Sequence, residues 1–287
     1  MSKLLTIGMA TYDDFDGVYF TIQSLLSYHP IAQSDQTEII VVDNNPGGEH
    51  AKELEKLIKG WLSNKVKYIP FSDKKSTATR NEIFKNAQGK YCISTDCHVL
   101  FQPNSLETLL NYYENNEDCK DLVQGPMIYD NHKGYATHFK QTWGGHMYGQ
   151  WDANTEAYNK GEPFDIPMHG LGVFSCETKN WLGFNELFEG FGGEEGYIHE
   201  KFRDNGGRAI CLPGFKWMHR FGRPQGVKYP LRLQDRIWNY FVGWLELKKD
   251  PEHPMIKEIY NYFKDEIPEP ILEQIFEKAK LTINTNH

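Results

Sequence analysis

Apolar and polar positions follow two alternating patterns along the first hundred residues. Short apolar runs are typical of buried strands, and apolar residues every three or four positions are typical of helices. The runs predict strands at 4–9, 38–42, 66–69 and 91–95, and the helical spacing predicts helices at 18–28, 51–61 and 77–87. Because strand and helix alternate, we expect parallel strands joined by right-handed crossovers. The result is an open, mostly parallel α/β sheet with helices on both faces.

The pattern changes after residue 100. It predicts a helix at 104–115 capped by Asn104, strands at 122–129, 173–175 and 208–212, and amphipathic helices at 231–247, 255–263 and 271–281. We therefore expect an α/β domain over residues 1–228 and a C-terminal helical extension over residues 229–287. The extension packs on the domain, covers a cleft or pairs with another subunit, and the sequence leaves these alternatives open.

The segment 131–164 has no clear period and is rich in Gly, His, Trp and Tyr. A long stretch of this kind inside a compact domain usually forms a functional loop region. Its aromatic and imidazole side chains either contact a substrate or cover the core. They are Trp143, His146, Tyr148 and Trp151.

Composition narrows the class of protein. The chain has 287 residues, of which 39% are apolar, so it has material for a sizeable core. No apolar run is long enough for a membrane span and the N-terminal residues lack a secretory pattern, so we expect a cytoplasmic protein, bacterial or, if viral, in the host cytoplasm. Five cysteines without a C-x-x-C pair predict reduced thiols rather than a disulfide framework. The net charge of -8 disfavours a general polyanion binder.

Ligands of open α/β sheets bind beyond the carboxyl ends of the strands. The tripeptide Asp96-Cys97-His98 follows the fourth predicted strand. If it stays extended, Asp96 and His98 project to the same side, because side chains alternate along a strand. One carboxylate oxygen and one imidazole nitrogen then suit a divalent cation such as Mn²⁺ or Mg²⁺, with positions left for phosphate oxygens. The alternative is a polar strand end in which His98 is hydrogen-bonded locally.

Four stretches together resemble a known family. They are TIGMATYDD, EIIVVDNNP, STATRNEIFKNAQGKYCISTDCHV and FEGFGGEEGYIHEKFRDNGGRAICLP. In order and spacing they resemble the family 2 glycosyltransferases and the related polypeptide GalNAc-transferases of the Rossmann-like GT-A fold, over roughly residues 3–225. The resemblance implies a hexosyl- or pentosyltransferase with a nucleotide-sugar donor, most often a UDP-sugar, and a divalent metal ion at the diphosphate. The GalNAc-transferases share the D-x-H motif, whereas most family 2 members have D-x-D.

The resemblance also implies roles for single residues. Ala10, Thr11 and Tyr12 would form the wall of the uracil pocket, and Asp43 would hydrogen-bond the base or ribose. His219 would complete the metal site with Asp96 and His98. From the residues alone, Asp43 begins a turn equally well.

Further residues are candidates for contact with the donor. Arg80 either reaches the diphosphate or pairs with a surface carboxylate. Gly170, before a predicted strand, would let the donor sugar approach the backbone. Arg220 and Arg223 lie in a predicted lid at 220–226, where they would clamp the diphosphate as it leaves.

Two adjacent acids, Glu194 and Glu195, follow a glycine pair and begin a helical pattern. Acidic residues favour the first turn of a helix for electrostatic reasons alone. In inverting family members an acid at the second position deprotonates the attacking hydroxyl, whereas the retaining GalNAc-transferases have G-G-E-N. The resemblance therefore favours inversion, with Glu195 as general base and Glu194 holding the acceptor or the donor sugar.

The acceptor stays open between a glycan, a protein and a modified DNA base, and so does the oligomeric state. Residues 201–236 contain nine Lys and Arg against two acids, with aromatic residues between them. One alternative is therefore a phage-type DNA glycosyltransferase that modifies hydroxymethylated bases. Another is a non-catalytic nucleotide-sugar-binding protein. A nucleotidyltransferase is disfavoured because residues 9–17 contain no Lys or Arg.

Overall fold

The computed structural model of the protein describes residues 3–223 and 226–285. The strands are β1 (Lys3–Thr11), β2 (Thr37–Asp43), β3 (Val66–Pro70), β4 (Gly89–Asp96), β5 (Val99–Phe101), β6 (Leu122–Gln124), β7 (Met127–Tyr129), β8 (Tyr135–Ala136), β9 (His138–Gly144), β10 (Met147–Asp152), β11 (Phe164–Asp165), β12 (Val173–Glu177), β13 (Ala209–Cys211) and β14 (Trp217–His219). The helices are α1 (Phe15–Tyr28), α2 (Pro30–Gln33), α3 (Ala51–Lys56), α4 (Asn81–Asn86), α5 (Ser105–Glu114), α6 (Thr155–Lys160), α7 (Glu195–Asp204), α8 (Leu233–Lys248), α9 (Pro254–Phe263) and α10 (Glu269–Thr285). A π-helical turn (Leu57–Trp61) extends α3, and a 3-10 turn (Thr77–Arg80) precedes α4.

An eight-stranded sheet organises the molecule, in the order β11-β13-β6-β12-β4-β1-β2-β3. β1 pairs in parallel with both β2 and β4, and β12 inserts antiparallel between β4 and β6. Alternate residues of β2 belong to different apolar clusters: Ile39 and Val41 to one, Ile40 and Val42 to the other. Because side chains alternate across a strand, the two clusters cover opposite faces of the sheet. The expected mostly parallel α/β sheet flanked by helices is confirmed.

A small second sheet, in the order β5-β14-β7-β8, lies beyond the end of β4. The strand predicted at 122–129 is therefore wrong as one element, because it breaks at Gly125 and Pro126 into β6 of the large sheet and β7 of the small one. A Cβ at Gly125 would lie 1.6 Å from the carbonyl oxygen of Phe215, so the close approach of the two chains requires glycine. β14 lies between β5 and β7, and the sequence pattern did not predict it.

Two local expectations are corrected. Asn104 precedes α5 as predicted, but it adopts a left-handed conformation with φ 64° and its side chain makes no capping hydrogen bond. The segment 131–164 is regular rather than a loop region, since β9 and β10 form an antiparallel hairpin followed by α6. The hairpin turns at Gly145 and His146, both with positive φ (57° and 61°), which is the geometry of a type I′ turn.

The C-terminal helices belong to the apolar cluster that contains Ile40 and Val42. Phe241 and Trp244 of α8 and Phe263 of α9 share this cluster with Tyr197 and Phe202 of α7. The helices lie close to their predicted positions, and the boundary at residue 228 stays a prediction, although the cluster contains residues from both sides of it. None of the helices described in residues 3–223 and 226–285 is long and apolar enough to cross a membrane. All five cysteines are buried and free.

Candidate active site

A cavity opens at the carboxyl ends of β1 and β4, and we call it the rim cavity. It is lined by residues 10–16 at and after the end of β1, by residues between 75 and 80, by residues 96–98 at and after the end of β4, and by described residues between 220 and 230. Ala10 pairs in register with Asp96, so parallel pairing of β1 and β4 brings the two loops together. Ala10, Thr11 and Tyr12 therefore line an opening at the carboxyl end of the sheet, and their contact with a base stays a prediction.

Asp96, His98 and His219 converge at this rim. The Oδ2 atom of Asp96 lies 3.8 Å from Nε2 of His98 and 3.5 Å from Nε2 of His219, and the imidazole rings are perpendicular, with centroids 4.9 Å apart. The reason expected for the convergence is wrong: β4 ends at Asp96, and His98 lies in a turn rather than on an extended strand. That turn is held by the hydroxyl of Thr21, which donates to the carbonyl of Cys97 and contacts that of Val99.

His219 reaches the site through the small sheet. It is the last residue of β14, and antiparallel pairing with β5 sets it in register with Val99, the residue after His98. The backbone N–H of Arg220 then donates to the carbonyl of His98. Pairing of β14 with β5 thus brings together imidazoles that are 121 positions apart in the chain.

The three side chains fit a divalent cation. One carboxylate oxygen and two imidazole nitrogens lie within 4.8 Å of one another. Ligand atoms about 2.1 Å from a shared cation lie roughly 3 to 4 Å apart, so small side-chain adjustments suffice. The mixture of oxygen and nitrogen ligands suits Mn²⁺ or a similar ion, and three protein ligands leave coordination positions free.

Asp14 is a further member of the site, and the sequence reasoning missed it. Its Oδ2 atom lies 2.9 Å from Nδ1 of His98, and its Oδ1 atom accepts the N–H of Gly17 at the start of α1. Burial alone would raise the pKa of the Asp14 carboxyl, but the contact with His98 and the Gly17 hydrogen bond outweigh it and lower the pKa to about 2. An Asp directly before a helix is a capping signal, and this signal could have identified Asp14.

Arg80 lines the rim cavity but is held by two carboxylates. Its Nη2 atom lies 3.2 Å from Oδ1 of Asp96, and its Nη1 atom lies 3.3 Å from Oε1 of Glu194. Burial would lower the pKa of the guanidinium, but the charges of Asp96 and Glu194 raise it. Neither of the two alternatives for Arg80, a diphosphate contact or a surface ion pair, anticipated this buried bridge. The diphosphate contact stays a prediction.

The adjacent acids are both buried. Glu194 is 1% exposed and Glu195, the first residue of α7, is 5% exposed. Burial and the neighbouring charge of Glu195 raise the pKa of Glu194 to about 8 against the opposing charge of Arg80, and burial also raises the pKa of Glu195. Within the described residues, neither acid lines the rim cavity. Glu194 connects to it through Arg80.

Asp43 lies behind the cavity wall. It is 1% exposed, its Oδ1 atom accepts the N–H of Asn45, and its Oδ2 atom accepts the hydroxyl of Tyr68. Burial raises the pKa of its carboxyl. Asn44, the next residue, lines the cavity instead. The role of Asp43 toward a base or ribose stays a prediction.

Gly170 has a packing reason to be glycine. A Cβ there would lie 2.6 Å from the Trp151 ring, and the Gly170 carbonyl accepts from the amide of Gln124. Gly170 does not line the described rim cavity, so close approach of a donor sugar stays a prediction.

Cationic side chains contribute to the outer wall of the rim cavity. Arg220, Arg223 and Lys228 line it, as does Tyr229, whose ring contacts Tyr12 with centroids 5.9 Å apart. Pro224 and Gln225, which belong to the predicted lid, lie outside the described residues. The cavity therefore combines carboxylates and histidines with cations, and Arg223 contacts both kinds of group, with Nη1 3.8 Å from Oδ2 of Asp14 and 3.4 Å from Nδ1 of His98.

The rest of the basic stretch 201–236 is largely neutralised. Four of its nine cations pair with carboxylates: Lys201 with Glu246, Arg203 with Glu200, Arg208 with Asp121 and Arg232 with Asp235. Three others line the rim cavity. The charge count that suggested a nucleic acid acceptor is thus mostly accounted for by ion pairs and by the cavity.

The aromatic residues of the hairpin pack inside the protein. Trp143 stacks on Tyr262 of α9 with ring centroids 4.6 Å apart, and Tyr148 is 4% exposed. His146 pairs with Glu266. Of the two alternatives for this segment, these contacts favour covering of the core over contact with a substrate.

An open, mostly parallel sheet with a polar cavity and a metal-type cluster at the carboxyl ends of its strands is the architecture of the GT-A glycosyltransferases. The chain belongs to glycosyl transferase family 2, whose family model matches residues 6–189. It is therefore a glycosyltransferase. Comparison with curated protein sequences finds no significant match.

Solved structures share the fold at low sequence identity. GalNAc-T7, solved with UDP, GalNAc and Mn²⁺, is 17% identical with a TM-score of 0.71, over 99% of this chain and 57% of that one. The mannosyltransferase PcManGT from Pyrobaculum calidifontis, solved with GDP-Man and Mn²⁺, is 13% identical with a TM-score of 0.53, over 100% of this chain and 76% of that one. S. aureus TarS 1-349, solved with UDP-GlcNAc, is 14% identical with a TM-score of 0.53, over 98% of this chain and 90% of that one. This chain thus spans little more than half of the GalNAc-T7 chain.

Proposed function

We propose that this glycosyltransferase moves a sugar from a nucleotide-sugar, specifically a UDP-sugar, to a hydroxyl acceptor, with a divalent cation held by Asp96, His98 and His219. The observation that carries the proposal is the convergence of Oδ2 of Asp96 with two imidazole Nε2 atoms beside the rim cavity. Similar structures that contain UDP with Mn²⁺, GDP-Man with Mn²⁺ and UDP-GlcNAc support it.

A bound cation would neutralise the diphosphate and stabilise the charge that develops on it as it leaves. Arg220, Arg223 and Lys228 also line the cavity and would bind the same phosphates. Residues 10–12 would then be the wall against the base, with Asp43 supporting the loop behind it. Most of the rate enhancement should arise from these preorganised cations, because they stabilise the charge on the leaving group.

Glu195 is proposed as the general base of an inverting transfer. Its carboxylate accepts the proton of the acceptor hydroxyl while the hydroxyl oxygen attacks C1 of the donor sugar. The bond between C1 and the phosphate oxygen breaks, and the nucleoside diphosphate leaves with the electron pair. Burial raises the pKa of Glu195, and a raised pKa makes its carboxylate a stronger base. The pKa of Glu194 is raised to about 8 by burial and by the charge of Glu195, and its carboxyl is suited to hold a sugar hydroxyl.

The first test is donor turnover. The protein is incubated with Mn²⁺ and a panel of UDP- and GDP-sugars, and released nucleoside diphosphate is measured. We expect release from one UDP-sugar, loss of release with a chelator, and recovery when Mn²⁺ is restored. His98→Ala and His219→Ala should abolish it, whereas His132→Ala, at an exposed position outside the cavity, should not. Binding without release would instead favour a non-catalytic nucleotide-sugar-binding protein.

The second test addresses the acceptor and the stereochemistry. Mass spectrometry of glycans, proteins and hydroxymethylated DNA after incubation identifies which gains a sugar. The anomeric configuration of the product, read by NMR, should be inverted relative to the donor. A retained configuration would exclude Glu195 as the base of a direct displacement.

A further inference from the structure

We propose that Asp14 is a positioning residue for the cation site: its carboxylate holds the His98 proton on Nδ1 and thereby presents the lone pair of Nε2 to the cation. The inference builds on the proposed function, because it assumes that His98 is a metal ligand. It goes beyond that function in assigning a role to a residue outside the ligand set.

The contact with His98 fixes the position of a proton. The Oδ2 atom of Asp14 lies 2.9 Å from Nδ1 of His98, and a carboxylate can only accept, so Nδ1 must donate. Two other groups lie near Nδ1, Nη1 of Arg223 at 3.4 Å and Sγ of Cys97 at 3.6 Å, but both are more distant than the carboxylate. Both also face Oδ2 of Asp14, at 3.8 Å and 3.6 Å, where a carboxylate oxygen can accept from them. With the proton on Nδ1, the other nitrogen carries the lone pair.

The free nitrogen points the right way. Nε2 of His98 faces Oδ2 of Asp96 at 3.8 Å, and Nε2 of His219 faces the same oxygen at 3.5 Å. A neutral imidazole coordinates a metal through an unprotonated nitrogen, and a carboxylate on its other nitrogen fixes the tautomer and the ring orientation. Asp14 therefore prepares His98 before any cation arrives.

Asp14 is itself held in place by the start of α1. Its Oδ1 atom accepts the N–H of Gly17 at 3.0 Å, which leaves Oδ2 for His98. A Cβ at Gly17 would lie 2.8 Å from the Asp14 carboxylate, so glycine at position 17 makes room for it. One carboxylate thus caps a 14-residue helix and orients a metal ligand.

Asp14→Asn separates these two roles. The N–H of Gly17 can only donate, so it selects the amide oxygen and the helix keeps its cap. The amide NH₂ then faces Nδ1 of His98, which must accept, and the proton moves to Nε2. This tautomer cannot bind a cation through Nε2. Asp14→Ser is the second variant, because serine keeps the cap but is too short to reach His98.

The first measurement is the tautomer of His98 in the metal-free protein. Long-range proton–nitrogen NMR of the histidine side chains distinguishes Nδ1–H from Nε2–H, and His98→Gln identifies the signals among 11 histidines. We expect Nδ1–H in the native protein and Nε2–H in Asp14→Asn. The same tautomer in both proteins would overturn the assignment, whether or not the protein binds metal.

The second measurement is the affinity for Mn²⁺ alone, by calorimetry. Asp14→Asn should weaken binding about 10- to 100-fold and Asp14→Ser about 10-fold, as for other groups that orient a ligand. Melting temperatures should stay close to that of the native protein because both variants keep the cap. Asp35→Asn, which removes the same charge from an exposed position, should bind Mn²⁺ like the native protein. Native-like affinity in Asp14→Asn would refute the positioning role, whereas no Mn²⁺ binding by the native protein would refute the proposed function.

Discussion

Replacing Arg80 with methionine tests how the cation site is connected to the acids of α7. Arg80 is buried and bridges Asp96 at 3.2 Å and Glu194 at 3.3 Å. Removing one partner of a buried ion pair costs about 3–5 kcal/mol, because the remaining charge is left without compensation. Arg80→Met leaves two such carboxylates, and the cost depends on whether each can take up a proton.

The cost should therefore depend on pH. The folded-state pKa of Glu194 is about 8, above the 4.5 of an ordinary Glu, so between these values the folded state binds more protons than the unfolded state. The free energy of unfolding consequently falls as pH rises through this window, by at most about 1.4 kcal/mol per pH unit. Without Arg80 the pKa of Glu194 rises further, and the fall continues above pH 8.

The expected destabilisation is about 2 kcal/mol at pH 6, where Glu194 is protonated and only Asp96 loses its partner. This is below the range for a fully buried pair because the Asp96 side chain is 24% exposed and keeps its contacts with two imidazoles. It should reach about 3–4 kcal/mol at pH 9, because each further unit of pKa shift adds about 1.4 kcal/mol. Urea denaturation at pH 6 and at pH 9 measures the destabilisation at each pH. Adding Glu194→Gln should remove the difference between pH 6 and pH 9.

A surface pair provides the control. Lys160 pairs with Glu156 at 2.9 Å, and the two side chains are 66% and 85% exposed. Lys160→Met should cost less than about 1 kcal/mol. If the cost of Arg80→Met is below 1 kcal/mol, or equal at pH 6 and pH 9, the buried bridge does not have the energetic role assigned to it.

Three further outcomes are expected. Glu195→Gln should lower kcat about 10²- to 10⁴-fold with little change in donor affinity. The variant should also lose the rise of activity with pH that deprotonation of a base produces. A native-like kcat would exclude Glu195 as the base. Trp181→Ala should lower the free energy of unfolding by about 3–5 kcal/mol in urea, because its ring stacks on Phe84 with centroids 4.0 Å apart. Trp143→Ala should lower the free energy of unfolding by about 3 kcal/mol in the same assay, because the hairpin loses its stacking contact with Tyr262. Its kcat should stay within a few-fold of the native value. A large loss of activity without loss of stability would restore the substrate-contact interpretation.

The large sheet was predictable because its strands are compact apolar runs. β1, β2 and β4 are buried on both faces, and such strands stand out from the helices between them. The small sheet was not predictable from periodicity. β5, β7 and β14 have three residues each, too few to show an alternation. His219 was accordingly placed at the site by family resemblance and not by its local pattern.

The residues around the cation site were predictable to different degrees. Asp96 and His98 are two positions apart, so their proximity could be inferred even though the assumed strand is a turn. Asp14 is 84 positions from His98 and Glu194 is 114 from Arg80, and nothing local relates such pairs. The hairpin was overlooked because its turn is Gly145-His146 rather than a common Asn-Gly or Asp-Gly pair.

Asp96 joins the two halves of the site through its two oxygens. His98 and His219 adjoin Val99 and Trp217, which belong to the apolar cluster on one face of the sheet. Arg80 and Glu194 lie close in the chain to Ala78 and Tyr197, which belong to the apolar cluster on the other face. Oδ2 of Asp96 faces the imidazoles and Oδ1 faces Arg80. A shift of either cluster should therefore move the same group, the Asp96 carboxylate. We therefore expect a change in the packing of α7, which begins directly after Glu194, to reach the cation site through Arg80.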